Sequence, residues 1–183
     1  MERHAEALDV LKNADCLHDA AAIRAAYDRM AVAIDKEFNG KNPLILCVMI
    51  GGLHATSELT QRLEFPFEID YLHATRYRGE TSGGGLVWKA SPGISLSGRH
   101  VLVVDDILDE GYTLAAIIES LQLQEASSLK VAVLAEKVHE RKAPGVKADF
   151  VGVTVEDRYV FGCGMDYKNY WRQLPAIYAV KGL

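Results

Sequence analysis

Two adjacent carboxylates, Asp105 and Asp106, follow a run of four apolar residues, and Gly111 and Thr113 come shortly after them. A helical pattern then begins, in Leu114, Ile117, Ile118 and Leu121. A helix that starts here would offer its first backbone N–H groups to an anion such as a phosphate. Carboxylate oxygens beside it can bind hydroxyl groups or a divalent cation. The stretch therefore predicts a site for a sugar phosphate with a metal ion.

A buried strand and a helix must position these residues. The apolar run at residues 101–104 is typical of a strand buried on both faces, and we expect the two acids to end it. Residues 44–50 form a second such run, followed by Gly51-Gly52 and a helix near residues 53–63. Both units would border the crevice at the carboxyl ends of a parallel sheet, where ligands bind in α/β proteins.

The rest of the chain supplies further α/β elements. Residues 19–38 predict an amphipathic helix with Asp19 as its N-cap and a stop at Asn39-Gly40. Further strands are predicted at residues 67–72, 130–135 and 148–155. We therefore predict an α/β fold with a parallel sheet of about five strands, flanked by helices.

The composition is that of one ordinary globular domain. The 183 residues suffice for a single core, and a formal net charge of −5 gives no general attraction to nucleic acid or to an anionic membrane. The three cysteines are widely spaced, which favours reduced thiols in the cytoplasm. The six histidines are scattered, and no apolar run predicts a signal peptide or a membrane span.

The stretch at residues 101–114 resembles the phosphoribosyl-pyrophosphate (PRPP) motif of the type I phosphoribosyltransferases: an apolar run, two acids, two apolar residues, then an acid, Gly and Thr. The resemblance implies that this stretch binds the ribose and 5′-phosphate of PRPP. The residues it assigns to that role are Asp105, Asp106, Asp109, Glu110, Gly111, Tyr112 and Thr113. Glu110 departs from the Thr frequent in the family, which leaves its side-chain contact open.

A second resemblance lies near the end of the chain. Residues 157–174 match the spacing of the tail of the hypoxanthine-guanine phosphoribosyltransferases, and the overall match runs from about residue 44 to 180. It implies that Tyr159 stacks on the purine and that Val160 and Lys137 bind the edge of the base. It implies further that Asp166, with Asp105 and Asp106, holds Mg²⁺, and that Asp109 is the catalytic base for the purine N7 proton.

The same family implies a pyrophosphate site. Its residues here are Ile50, Gly51, Arg76, Tyr77 and Arg172. The peptide bond of Ile50-Gly51 can be cis in the family, and 6-oxopurine enzymes often carry Lys where Ile50 stands. Without that cation the contact must be mainly backbone, and Arg76 partly replaces the missing charge.

The resemblance also implies how the domain is divided. We expect a core at about residues 40–155, a small hood from about 1–20 and 156–183, and a mobile loop at about 76–90 that closes over the site. The resemblance also implies that the protein forms a homodimer or homotetramer.

The function implied is purine salvage: transfer of the 5-phosphoribosyl group from PRPP to hypoxanthine or guanine. One alternative is a related enzyme that prefers xanthine. Another is a PRPP-fold regulator that binds RNA, which the net charge of −5 disfavours. A signalling receiver domain also carries paired acids at a strand end, but has no reason to carry the Gly111-x-Thr113 turn or the tail at residues 166–172.

Overall fold

The computed structural model describes residues 2–76 and 86–182. The four helices of the described residues are α1 (Glu2–Asn13), α2 (Ala20–Phe38), α3 (Gly52–Thr60) and α4 (Tyr112–Gln122). The strands are β1 (Asp15–His18), β2 (Leu44–Val48), β3 (Glu68–Arg76), β4 (Leu86–Ala90), β5 (His100–Leu108), β6 (Ser128–Lys137), β7 (Phe150–Val155), β8 (Val160–Phe161) and β9 (Ile177–Ala179).

The central sheet has the strand order β4-β3-β2-β5-β6-β7. Five of these strands pair in parallel, and β4 adds to β3 in the antiparallel direction. The predicted α/β class is confirmed. The sheet is larger than the five strands expected because residues 86–90, assigned to the mobile loop, form the edge strand β4. Residues 77–85 of that loop lie outside the described part of the chain.

Helices cover both faces of this sheet because the strand residues alternate between them. On β5, Leu102 and Val104 pack with α2 and α3, where Tyr27 and Ile34 are fully buried. Val101 and Val103 point the other way and pack with α4 through Leu114, Ile117 and Leu121. The predicted helix at residues 19–38 is present as α2, and the Asp19 carboxylate accepts a hydrogen bond of 2.8 Å from the Ala22 N–H.

The two acids do not end β5, contrary to the expectation from the sequence. The strand continues through Asp105 and Asp106 to Leu108, and its ladder with β6 runs as far as Leu108 opposite Glu136. The reason is the length of β6, which reaches Lys137 and supplies partners beyond the apolar run. An acid in a strand keeps its backbone hydrogen bonds, so hydrophobicity alone could not locate the end.

A second, three-stranded sheet is built from both ends of the chain, in the order β1-β9-β8. Helix α1 packs beside it: Trp171 donates a hydrogen bond of 2.8 Å to the Ala7 carbonyl, and Tyr167 donates one of 2.8 Å to Glu6. Residues predicted to form the hood therefore contact one another over the carboxyl ends of the central strands, where Val160 and Asp166 share a cavity with Asp106 of β5.

Within the described residues, no helix has both the length and the apolar character needed to cross a membrane. The three cysteines are free thiols, with Cys47 and Cys163 buried and Cys16 exposed.

Candidate active site

The turn after β2 lies unusually close to the acids of β5, and glycines make this approach possible. A Cβ on Gly51 would lie 2.0 Å from an oxygen of Asp106, and one on Gly52 would lie 2.4 Å from the Val104 carbonyl oxygen. A Cβ on Gly164 would meet the Gly51 carbonyl oxygen at 2.2 Å. Three chain segments thus converge on Asp106 with no room for side chains between them.

A cis peptide bond occurs at the end of β2. It joins Met49 to Ile50, one bond before the position expected from the family resemblance. The Gly51 peptide follows directly at the start of α3, and the Ile50 side chain is half exposed.

Of the adjacent acids near the carboxyl end of β5, Asp106 is buried and Asp105 is partly buried. Burial raises the pKa of Asp105 well above its usual range, and the negative charge of Asp106 beside it acts in the same direction. Burial also raises the pKa of Asp106, although hydrogen bonds from Asp105 and the Ile107 N–H and the charge of Arg172 oppose the shift. The carboxyl end of β5 therefore carries negative charge that is only partly compensated.

The helix after this strand begins as the sequence predicts. Gly111 is the N-cap of α4 with a left-handed φ of 75°, and a Cβ there would lie 2.7 Å from Leu108. Since glycine has no side chain to cap the helix, the N–H groups of the first turn can receive an anion. Thr113 lines the cavity beside them. Glu110 and Tyr112 are about half exposed at the rim.

Asp109 has a different environment from the two buried acids. One of its carboxylate oxygens is 2.7 Å from Lys137 Nζ, and the other is 2.8 Å from His139 Nε2. Partial burial opposes ionisation, but these hydrogen bonds and the Lys137 charge lower the pKa of Asp109. Asp109 is therefore a carboxylate held on both oxygens.

His139 is a residue that the motifs did not single out. Its side chain is 4% exposed, and its Nδ1 accepts a hydrogen bond of 3.1 Å from the Arg141 N–H. A histidine two residues after Lys137 matches none of the quoted motifs. Only the pairing of β5 with β6, which sets Leu108 opposite Glu136, brings it to Asp109.

Asp109, His139 and Asp157 have ligand atoms close enough together to hold a metal ion. Each of these atoms already has a hydrogen-bond partner, however. Both oxygens of Asp157 accept from the Arg141 guanidinium, at 2.7 and 3.0 Å, and both nitrogens of His139 are engaged. We interpret this group as a hydrogen-bonded support of Asp109.

The aromatic ring of Tyr159 forms one side of the cavity. It is 42% exposed, and its centroid lies 5.5 Å from that of Tyr167 at an interplanar angle of 69°. Val160 is buried in β8, opposite Ala179 of β9. An exposed ring face braced from behind in this way suits stacking on a flat heterocycle.

Arg172 links the end of the chain to the acids of β5. Its guanidinium lies 2.5 Å from Asp166, donates a hydrogen bond of 2.6 Å to the Gly164 carbonyl and lies 4.0 Å from Asp106. The Asn169 N–H donates to the other oxygen of Asp166 at 2.6 Å. Asp166 and Arg172 thus reach the cavity as an oriented pair.

These residues surround one polar cavity of about 550 Å³. It is lined by Asp106, Ile107, Asp109, Thr113, Lys137, Tyr159, Val160, Met165 and Asp166. Arg172 and the turn at Gly51 border the same acids. Tyr77 and the side chain of Arg76, expected at the pyrophosphate, lie outside the described residues.

Comparison with known proteins shows the family of the chain. Residues 13–168 match the family described as the phosphoribosyl transferase domain, and the chain belongs to this family. Among its relatives is the hypoxanthine-guanine-xanthine phosphoribosyltransferase of Tritrichomonas foetus, 35% identical over 165 residues, which are 90% of each chain. The hypoxanthine-guanine phosphoribosyltransferase of Streptococcus pneumoniae is 32% identical over 87% of this chain and 88% of its own.

Solved structures lead to the same group. A hypoxanthine phosphoribosyltransferase from Staphylococcus aureus superposes with a TM-score of 0.86 at 30% identity, covering 91% of both chains. A hypoxanthine-guanine-xanthine phosphoribosyltransferase gives a TM-score of 0.83 at 32% identity, covering 91% of this chain and 96% of the other. The resemblance inferred from the motifs is confirmed.

Proposed function

We propose that this protein transfers the 5-phosphoribosyl group from PRPP to hypoxanthine or guanine in purine salvage, with IMP or GMP and pyrophosphate as products. The supporting observation is that one cavity combines a base side, formed by Tyr159 and Lys137, with the acids and helix start of a sugar-phosphate side. The names of the similar proteins from T. foetus and S. pneumoniae agree with this choice of base.

In the proposed reaction a purine nitrogen attacks C1 of the ribose, and the bond to pyrophosphate breaks. Tyr159 and Lys137 would hold the base, and Asp105 and Asp106 the ribose hydroxyls, so that the reacting atoms are close and oriented. The Gly51 peptide and Arg172 would stabilise the negative charge on departing pyrophosphate. Asp109 would accept the proton from N7 of the purine.

A magnesium ion fits the acids at the carboxyl end of β5. Burial raises the pKa values of Asp105 and Asp106, and the charge of Asp106 raises that of Asp105 further, so a cation beside them would relieve an electrostatic cost. We propose that these residues and Asp166 hold Mg²⁺ through oxygen ligands and retained water. When bound, the ion would neutralise charge on the phosphates of PRPP.

The base side favours purines with an oxygen at position six. The Lys137 ammonium is donor-only, so it suits a carbonyl oxygen and meets the amino group of adenine donor to donor. A buried donor without an acceptor costs about 1–3 kcal/mol, and more if it is charged. We therefore expect turnover of hypoxanthine and guanine and essentially none of adenine. Xanthine is the second candidate, favoured by the printed name of the T. foetus relative.

Steady-state turnover with PRPP, magnesium and four bases tests the proposal. Hypoxanthine and guanine should give the highest kcat/KM, with xanthine weaker and adenine near background. A higher kcat/KM for xanthine would favour the second candidate. Adenine as the best substrate would contradict the assignment of Lys137 and Tyr159 to the base.

The role of Asp109 is tested by Asp109→Asn. The amide keeps the shape of the side chain but cannot accept the N7 proton, so we expect kcat to fall about 10²-fold or more while PRPP binding is retained. Steady-state kinetics measure the loss of kcat, and isothermal titration calorimetry measures the affinity for PRPP. Asp28→Asn, at an exposed ion pair with Arg62, is the matched control, and wild-type turnover in Asp109→Asn would refute the role.

We further propose that the chain folds as a single domain and acts as a homodimer or homotetramer in the cytoplasm. The match to one family over residues 13–168 supports the single domain. The free thiols Cys16, Cys47 and Cys163 support a reducing compartment.

A further inference from the structure

His139 is buried and polar, yet it has no part in the mechanism described so far. Its side chain is 4% exposed, and it is absent from the residues that line the cavity, whereas Asp109 and Lys137 both line it. Among the described residues, His139 reaches the site through its Nε2 contact of 2.8 Å with Asp109. Any effect of His139 on the reaction must therefore pass through that carboxylate.

The hydrogen bonds define which nitrogen of His139 carries a proton. The Arg141 N–H can only donate, and it points at Nδ1 at 3.1 Å, so Nδ1 acts as an acceptor. Nε2 then carries the hydrogen and donates it to Asp109. The neutral imidazole is thus held between a backbone donor and a carboxylate acceptor, and no proton transfer is needed to satisfy it.

Asp109 needs such a fixed donor because its other partner has a second task. Lys137 binds one oxygen of Asp109 at 2.7 Å and also lines the cavity, where it would face the carbonyl oxygen of the purine. With a purine bound, the Lys137 ammonium would divide its donors between the base and Asp109. His139, outside the cavity, would keep its hydrogen bond throughout the reaction.

We propose that His139 is a positioning residue that fixes the orientation of the Asp109 carboxylate for proton transfer while Lys137 engages the purine. This inference rests on the proposed role of Asp109 as the base. It assigns to His139 an effect on turnover rather than on the binding of PRPP, because among the described residues its ring hydrogen-bonds Asp109 and the Arg141 N–H, and none of Asp105, Asp106 and Thr113.

Two substitutions at His139 separate the missing hydrogen bond from the missing ring. His139→Leu fills the space without a donor, and we expect kcat to fall about tenfold with the KM for PRPP unchanged. His139→Gln places an amide nitrogen near the position of Nε2, and we expect it to recover most of the lost kcat. If the leucine variant does not fold, His139→Asn replaces it, since its amide stops short of Asp109.

The matched control is His100→Leu. His100 is a half-buried histidine at the opposite end of β5, where its Nδ1 lies 2.7 Å from Ser128 Oγ. It should lose stability on substitution but keep the wild-type kcat. A kcat within twofold of wild type in His139→Leu, or equal losses in the leucine and glutamine variants, would overturn the proposal.

A double substitution shows whether His139 acts through Asp109. Adding His139→Leu to Asp109→Asn should leave kcat unchanged relative to Asp109→Asn alone, because the group it positions is already gone. A further loss of the same size as in the wild-type background would mean that His139 acts elsewhere, and would overturn the inference while leaving the role of Asp109 intact. Wild-type turnover in Asp109→Asn alone would instead refute the assigned base, and with it the inference.

Discussion

Three carboxylates lie within five positions of β5 and the turn that follows it, and the environment of Asp109 shifts its pKa in the opposite direction to those of Asp105 and Asp106. Burial raises the pKa values of Asp105 and Asp106, whereas hydrogen bonds from Lys137 and His139 lower that of Asp109 against its partial burial. Environments that separate pKa values in this way assign different tasks to chemically identical groups. Asp109 is ionised without help, while the buried pair gains most from a cation.

The raised pKa of Asp105 predicts a trade between stability and activity. A carboxyl group whose pKa is higher in the folded than in the unfolded state stabilises the fold when protonated, and loses that contribution as pH rises from the ordinary carboxyl range through the raised value. At neutral pH, Asp105→Asn should therefore raise the free energy of unfolding by about 1 kcal/mol while abolishing turnover.

Chemical denaturation at several pH values, without magnesium, measures this effect. The stability of the wild type relative to that of Asp105→Asn should increase as pH falls from neutral toward the ordinary carboxyl range. A less stable variant at neutral pH would contradict the assigned direction of the pKa shift.

Lys137→Met should weaken the discrimination between bases. The methionine keeps much of the volume but removes the donor, so kcat/KM for hypoxanthine should fall about tenfold or more and the preference over adenine should shrink. The loss of the ammonium beside Asp109 should also raise the pKa of that carboxyl, which moves the acid limb of the pH profile upward. If the selectivity between hypoxanthine and adenine is unchanged in this variant, Lys137 does not contact the base.

Residue spacing, together with the resemblance to a known family, was sufficient to predict most of the residues that line the cavity. The motifs placed Asp106, Asp109 and Lys137 together although they lie on different strands or turns. They could not supply His139, since its contact depends on the register between β5 and β6 and no local pattern encodes it.

At the scale of elements, the defining property of the site is the close approach of three chain segments. Gly51, Gly52 and Gly164 each lie where a Cβ would meet a backbone or carboxylate atom within 2.4 Å. The turn after β2, the acids of β5 and the segment after β8 therefore form one tightly packed unit, and a change in any of them is transmitted to the other two.

Gly164→Ala tests this packing against a matched control. Gly164 and Gly98 both have positive φ, of 104° and 71°, but a Cβ would meet Gly51 oxygen at 2.2 Å only at Gly164, with nothing within 4 Å at Gly98. Gly98→Ala should cost about 1–2 kcal/mol of stability from backbone strain alone, with normal kcat. Gly164→Ala should cost more and reduce turnover at least tenfold; equal effects would mean that crowding is unimportant.

Element type was predicted well because hydrophobic runs identify buried strands. The length of a strand was not predicted well, because it depends on how far the adjacent strand in the sheet extends. β5 extends past its apolar residues since β6 continues beside it, and β3 reaches Arg76 since β4 returns along it. A β-strand whose last residues are polar carries no hydrophobic signal of its own.

At the scale of the whole molecule, an apolar patch lies beside the pyrophosphate loop. Ile50, Leu53, Ile69 and Tyr71 are each 50–54% exposed, and Leu53, Ile69 and Tyr71 line a second cavity of about 450 Å³. The proposed oligomer would cover this patch, because exposed apolar clusters of this kind commonly mark contacts between chains. Subunit contact and the pyrophosphate loop would then be adjacent.

Leu53→Glu should weaken the proposed oligomer by placing a charge in the patch. The control is Leu123→Glu, at a position that is 82% exposed after α4. Sedimentation velocity should show a smaller species for Leu53→Glu and no change for Leu123→Glu. An unchanged sedimentation coefficient for Leu53→Glu would mean that the subunits do not contact each other through this patch.

On the ribosome, strand β1 emerges before the strands of the central sheet, and its partner β9 follows only after that sheet has been made. Asp15 pairs with Ala179 of β9, whereas β2, β3 and β5 find one another within the first 108 residues. The strands that position Gly51 and the acids Asp105 and Asp106 can thus assemble while Tyr159, Asp166 and Arg172 are still being translated. A nascent chain arrested before β9 would leave β1 without its strand partner, and an unpaired strand edge is open to pairing with other chains.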